Sequence, residues 1–355
     1  MTTPKGDCTL ITIVDDLLFS ESASSGYSIA EHTCKLLSDK YGNVKPCRNP
    51  TSFAGFSISP GAHGGIKLTM PQKIIEAARE HLPELLDGTP LSLPKGKQLR
   101  DMADRLVLVA SPGKLTAKQR RTQQLIGSLK FIERLHPRVS LTLHRLSCVM
   151  SGPPPEAWDV ACAALATVYV ERDVGLTFGG AGMTTMPRIE GRIAAAIDLN
   201  DAAPAWLESH ADATWGDRNV YGLILTFAGA AVYHTTKKIS VTVDSSMETE
   251  AIGSSKAAEA VTYAREILRA FGTPAVSATL IGTDNLANRA VGSGASTPSR
   301  SKHFLRRYHT LIARIKEGDV TLKHVPDEHM PADFLTKWVS QSKIDQSVQY
   351  ATGST

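Results

Sequence analysis

From His210 to Lys337 the chain predicts an α/β domain, and three observations carry that expectation. Short apolar runs rich in β-branched and aromatic residues alternate with a long alanine-rich stretch, in the order β, β, α, β, α. Glycine and proline fall between the runs, where the chain must turn. Four acidic residues, Asp212, Glu250, Asp284 and Asp333, sit at different points of that pattern.

Each element has its own signal. Asp212 lies in Ser209-His-Ala-Asp-Ala-Thr-Trp215, ahead of the apolar run Tyr221 to Tyr233, whose length and composition suit paired strands better than one helix. Alternating β-branched residues after Lys237-Lys238 give way at Glu250 to an alanine-rich helix reaching Phe271. Ser245-Ser246 reads as its cap. Glu248 and Glu250 both fall in its first turns, where an acid also suits the helix dipole, so position alone does not choose between them. Val276 to Asp284 is a short strand with a carboxylate at its carboxyl end, the edge where α/β sheets form sites. After the strand Val320 to Val325 and a loop with Pro326 and Pro331, Asp333 begins or precedes the last helix. It reads equally as an N-cap. From about Ser340 the chain reads as a frayed tail.

Four carboxylates drawn together from separate elements repel one another and lose hydration unless cations neutralise them. Two Mg²⁺ ions on oxygen ligands, roughly 4 Å apart, would do so, with Mn²⁺ able to substitute. Such a pair can activate a water and stabilise the leaving oxygen of a phosphodiester.

The wording of the motifs is more specific than their spacing. His210-Ala-Asp-Ala-Thr-Trp-Gly-Asp217, Lys237-Lys238, Ser245-Ser-Met-Glu-Thr-Glu250, Gly282-Thr-Asp-Asn285, Ser301-Lys-His303, Arg307-Tyr-His309 and Val325 through Ala332-Asp-Phe-Leu-Thr-Lys337 occur in one order. Over about 130 residues they resemble the RNase H domain of copia-type retrotransposon Pol polyproteins. The resemblance implies an RNase H-like mixed five-stranded sheet flanked by helices. It also implies that Asp212, Glu250, Asp284 and Asp333 are catalytic metal ligands, with the register selecting Glu250 and leaving Glu248 as a capping acid. Two departures stand out. Thr214 replaces an acid common in the family, although Asp217 is near, and the serine-rich stretch after Trp-Gly is reduced to Arg218-Asn-Val-Tyr-Gly222.

The amino-terminal part reads less sharply. Leu10 to Phe19 is an apolar run interrupted by Asp15-Asp16, which by itself is a β-hairpin with an acidic turn. A helix from Ala30 to Tyr41, a strand from Ser52 to Ile58, and a strand running into a helix from Gly64 to Ile74 follow. The series is similar to the carboxyl half of a copia-type reverse transcriptase palm, α+β in class, with Asp15 and Asp16 as residual polymerase ligands; the tyrosine usual before Val-Asp-Asp is absent. A Pro, Gly and Lys-rich passage, Asp87 to Lys97, reads as a loop. Lys114 to Leu135 is a basic helix with an apolar stripe, a pattern that by itself describes a solvated face. Arg121-Thr-Gln-Gln-Leu-Ile-Gly-Ser-Leu-Lys-Phe131 and the words that follow as far as Val174-Gly-Leu176 resemble the family's thumb and connection region. That implies phosphate contacts from Lys118, Arg120, Arg121 and Lys130, joined by Arg300, Lys302 and Arg307 near the last motif.

Composition sets the bounds. The 355 residues are long enough for two or three domains, and a net charge of +4 leans toward polyanionic partners. Five cysteines without a Cys-x-x-Cys pair argue for a reducing compartment. No leader and no run near the roughly 20 apolar residues of a membrane span is seen, so a soluble intracellular protein, in a cytoplasmic particle or the nucleus, is expected. No Walker A loop, HExxH or internal repeat is present.

The expected domains are a partial palm over 1–90, a thumb or connection and linker over 91–203, the RNase H-like domain over 204–345 and a tail over 346–355. The expected activity is hydrolysis of the RNA strand of an RNA/DNA hybrid. An inactive or domesticated nucleic-acid-binding remnant is the alternative. An upstream Pol fragment or a second copy is a further expected partner, no membrane is, and polymerisation by this chain alone is not expected.

Overall fold

A computed structural model describes residues 2–3, 6–13, 16–21, 28–42, 44, 47, 49–61, 64–109, 114–179, 207–216, 218–271, 274–275, 277–286 and 302–354, with the backbone alone at 2–3, 6–13, 16–17, 19–21 and 302–307. The chain divides into Met1–Ser59 and Pro60–Thr355.

In the first unit β1 (Thr2–Thr3), β2 (Gly6–Ile13) and β3 (Asp16–Glu21) form an antiparallel sheet, followed by α1 (Ile29–Tyr41) and the strands β4 (Ser52–Phe53) and β5 (Phe56–Pro60). The two strands of the expected hairpin pair antiparallel, with Ile13 opposite Asp16, while Val14 and Asp15 lie outside the described residues. The expected single strand from Ser52 to Ile58 is instead a tight hairpin, because Ala54 and Gly55 both take positive φ.

The second unit begins with β6 (Ile66–Thr69) and a layer of helices: α2 (Pro71–His81), α3 (Gly96–Arg105), α4 (Ala117–Ile132), α5 (Ser140–Ser147) and α6 (Glu156–Val170). β7 (Leu176–Phe178) returns antiparallel to β6. The basic stretch is helical as expected. Thr116 and Gln119 form its capping box, and Leu125, Ile126, Leu129 and Ile132 are its buried stripe.

Next comes a five-stranded sheet built from β8 (Leu207–Thr214), β9 (Val220–Phe227), β10 (Ala230–Lys238), β11 (Thr279–Thr283) and β12 (Val320–His324), in the order β10-β9-β8-β11-β12. The first three are antiparallel, joined between β9 and β10 by Ala228 and Gly229 at positive φ, and β11 runs parallel to both β8 and β12. This mixed sheet with flanking helices is the RNase H-like fold that the sequence implied.

Alternation of side chains sets the two faces. Leu207, Ala211 and Ala213 of β8 and Tyr221, Leu223 and Leu225 of β9 pack with α7 (Ser246–Ala270) and α8 (Lys302–Lys316) through Ala251, Ala258, Val261, Tyr308 and Leu311. On the other face Ile224 meets Phe334, Leu335, Val348, Tyr350 and Ala351, from the turn Asp333–Leu335 and from α9 (Gln341–Thr352).

Helix α9 corrects the expectation of a frayed tail from Ser340 and a separate tail at 346–355. Ser340 caps it by accepting from the Lys343 N–H, Gly353 closes it in the left-handed region, and Val348, Tyr350 and Ala351 are buried in the sheet's second core. The helical layer joins this face within the same unit. Arg138 pairs with Asp345 of α9 and Glu171 at 2.7 Å each, and the Trp338 indole N–H donates to Asp104 at 2.6 Å.

Among the described residues no helix is long and apolar enough to cross a membrane.

Candidate active site

Asp212 is near the end of β8, Asp284 directly follows β11, and Asp333 opens the turn before α9. Because β11 pairs parallel with β8, setting Gly282 beside His210, their carboxyl ends lie together. Two glycines let this happen. A Cβ on Gly282 would stand 2.4 Å from the His210 ring, and one on Gly222, which faces Asp212 across the ladder, would stand 2.5 Å from the Leu335 Cβ. The turn carrying Asp333 can therefore close onto Asp212. Thr236 of β10 fixes that turn by donating to the Leu335 carbonyl at 2.7 Å.

One carboxylate oxygen from each of Asp212, Asp284 and Asp333 lies within 4.8 Å of the others. Glu250 reaches in from the first turns of α7, its Oε1 accepting from the Ala213 N–H at 3.3 Å. Glu248 turns elsewhere, accepting from the Asp244 N–H at 2.9 Å in the manner of a capping acid. All four site acids are disfavoured as anions. Burial, then the charges of Asp212 and Asp284, pushes Glu250 up to about 9. Burial, then Asp212, pushes Asp333 up to about 6. Asp284 is raised by burial and then Asp333, and Asp212 mainly by burial, against which Lys337 and Thr336 work.

Two lysines and a threonine complete the cluster. The Thr336 hydroxyl donates to Asp212 Oδ2. The Lys337 ammonium lies 3.2 Å from Asp333 Oδ1 and 4.0 Å from Asp212 Oδ2. Burial works against that ammonium, but the charges of Asp212 and Asp333 outweigh it and hold it protonated. Lys343 of α9 donates to Asp333 Oδ2. The converging oxygens of Asp212, Asp284 and Asp333 are all carboxylate oxygens, two of the three residues being buried, and such a set fits a hard divalent cation; these three, with Glu250 beside them, are the residues that would hold it.

Other expectations are placed differently. Asp15 and Arg300 lie outside the described residues, Asp16 opens β3, and Lys302 and Arg307 are on α8 with only their backbone described. Lys118 and Arg120 are exposed on α4. Arg121 and Lys130 are exposed on the same helix and also have partners within the fold: Arg121 sits 4.7 Å above the Trp158 ring and donates to the His81 carbonyl at 2.9 Å, while Lys130 pairs with Glu133. His309 is exposed on α8, and His329 is half-buried in the turn Asp327–His329.

Sequence reasoning missed Lys343 and a buried trio behind the site. The Tyr350 hydroxyl is 2.6 Å from Glu208 Oε1, to which it donates, and 3.0 Å from His210 Nδ1. Burial pushes Glu208 up to about 7 and His210 down to about 3. The signal was the cap pair Ser340 and Gly353 around Ile344, Val348 and Ala351, spaced for one helical face.

No family model matches the chain. It is similar to the retrovirus-related Pol polyprotein from transposon RE2 of Arabidopsis thaliana, 23% identical over 337 residues, 94% of this chain and 21% of that polyprotein. The chain thus spans about a fifth of that relative's length. Among solved structures it is similar to an amino-terminal RNase H domain from Mycobacterium tuberculosis, fused to maltose binding protein, at 14% identity, covering 41% of this chain and 99% of that one with a TM-score of 0.30. It is also similar to LC11-RNase H1 in complex with an RNA/DNA hybrid, at 15% identity, 36% and 92% coverage and a TM-score of 0.28. The chain is thus similar to a retrovirus-related Pol polyprotein of a transposon, and its five-stranded mixed sheet with flanking helices has the RNase H-like fold.

Proposed function

We propose that this chain is a copia-type Pol segment whose RNase H domain hydrolyses the RNA strand of an RNA/DNA hybrid. The observation that carries this is the convergence of Asp212, Asp284 and Asp333 within 4.8 Å, with Glu250 close enough for their charges to raise it. Such a cluster destabilises the fold by itself, so its presence calls for a ligand. Two Mg²⁺ ions, when bound, would activate a water and stabilise the leaving oxygen.

The chain's own residues set the stage for that chemistry. Asp212 stands on β8 and Asp284 directly after β11, its parallel partner, a rigid platform that would hold a scissile phosphate to one register. Glu250, more buried than Asp284, enters from the opposite sheet face and must give up its proton before it can serve as a ligand. Lys337 supplies a fixed positive charge beside the acids. Lys118 and Arg120, with Arg300, Lys302 and Arg307, would contact backbone phosphates without reading sequence, and choice of the RNA strand would rest on its 2′-hydroxyl groups.

The test is cleavage of a labelled hybrid by the purified chain with and without Mg²⁺. Cleavage of the RNA strand that needs the ion supports the reading. An intact hybrid at saturating Mg²⁺ and protein refutes it.

A further inference from the structure

The acid cluster already holds cations of its own, and one of them comes from α9. Lys343 lies in the first turn of α9, its backbone N–H fixed by the Ser340 cap at 3.3 Å, and its ammonium donates to Asp333 Oδ2 and to the Asp327 carbonyl. Asp333 is fully buried and the Lys343 side chain is 16% exposed, so water screens the pair only in part. The other Asp333 oxygen faces Lys337. Both oxygens of Asp333 thus point at ammonium groups, whereas Asp212 has the Thr336 hydroxyl and Lys337 at 4.0 Å, and one oxygen of each of the three aspartates lies in the cluster. A second seat for Lys343 exists, because Asp327 Oδ2 is 3.7 Å away on an exposed side chain.

From this geometry we infer that Lys343 is a tethered competitor for Asp333: a divalent ion that uses Asp333 must displace it toward Asp327, so the ion at that carboxylate binds more weakly than the one at Asp212 and Asp284. The inference rests on the proposed metal-dependent reading and names how occupancy of that site is limited. Lys343 does not act on substrate. It sets the ion concentration at which Asp333 becomes a ligand.

The test is titration of the full chain with Mn²⁺ alone, free ion being counted by its paramagnetic resonance signal, in wild type, Lys343→Met and Lys343→Arg. Wild type should show one tighter and one weaker ion. Lys343→Met should tighten the weaker by about three- to tenfold, the scale of one partly buried ion pair, and Lys343→Arg, which keeps the cation, should not. Melting of the ion-free proteins checks that each is folded. Identical titrations of wild type and Lys343→Met overturn the competition while leaving the nuclease reading intact. No Mn²⁺ bound by any of the three overturns both.

Discussion

Replacing Glu250 with glutamine should stabilise the metal-free protein, and by more as the pH rises. An ordinary glutamate titrates near 4.5, whereas burial and the charges of Asp212 and Asp284 hold Glu250 at about 9. The sign follows from linkage: an acid whose folded value is raised leaves stability complete below about 4.5 and removes it progressively as the pH climbs toward about 9. At pH 7 the folded state must keep a proton that the unfolded chain has released, at a cost on the order of 3 kcal/mol. Glutamine has the same shape, keeps an oxygen for the Ala213 N–H and carries no charge. Its amide must find partners in a buried site, which returns part of the gain. A net of about 1–2 kcal/mol remains, or roughly 3–6 °C in Tm for a unit of this size. Melting in a chelating buffer at pH 5 and pH 8 reads it directly: the two proteins should lie close at pH 5, and the variant should be clearly higher at pH 8. Adding Mg²⁺ should reverse the order, because the ion stabilises the state that can hold it. A variant that melts lower than wild type at pH 8, or by the same margin at both values, would show that Glu250 is not held protonated by its neighbours.

Activity should separate the two adjacent glutamates. Glu250→Gln should lose hybrid cleavage, while Glu248→Gln should keep it and lose only a cap worth about 1 kcal/mol, measured by cleavage and melting side by side. Asp284→Asn should abolish cleavage with an unchanged or raised melting temperature, since it removes one of several mutually repelling acids; near wild-type cleavage would take Asp284 out of the site. Gly222→Ala should cost about 1–3 kcal/mol and reduce cleavage together, because its Cβ would meet Leu335 at 2.5 Å and push the Asp333 turn away from Asp212. Hybrid affinity should fall steeply with salt and scarcely vary with sequence, and a flat salt dependence would return the basic residues to a solvated face.

Much of this was legible in the sequence, for reasons that differ by element. The strands carrying Asp212 and Asp284 announced themselves by apolar runs because both faces of the sheet are covered. Glu250 over Glu248 came from motif register, and the structure supplies the physical difference: a side chain at N3 of a helix folds back onto the cap, whereas one two residues later points along the sheet. The helix at Gln341–Thr352 was missed because a short polar segment has little intrinsic helicity and gains its stability from packing. Lys343 was invisible for the same reason: without that helix it has no direction. Arg121 and Lys130 are exposed on the basic helix as its periodicity implies, but the Trp158 ring and Glu133 beside them could not be read from periodicity.

The pairing of Tyr350 with Glu208 bears on how the domain comes into being. Those partners are 142 residues apart, and Thr336 and Asp212 are 124 apart, so the face that carries the acids closes only through distant contacts. Closing such loops is slow, and a ribosome adding roughly 5–20 residues per second finishes β8 to β10 well before α9 exists. Until then Glu208 and His210 lack the hydroxyl that joins them, and the strands' second apolar face is open to water. Nascent chains stalled before Ser340 should therefore be caught by proteases or chaperones at that face, and resistance should arrive abruptly when Tyr350 has cleared the tunnel.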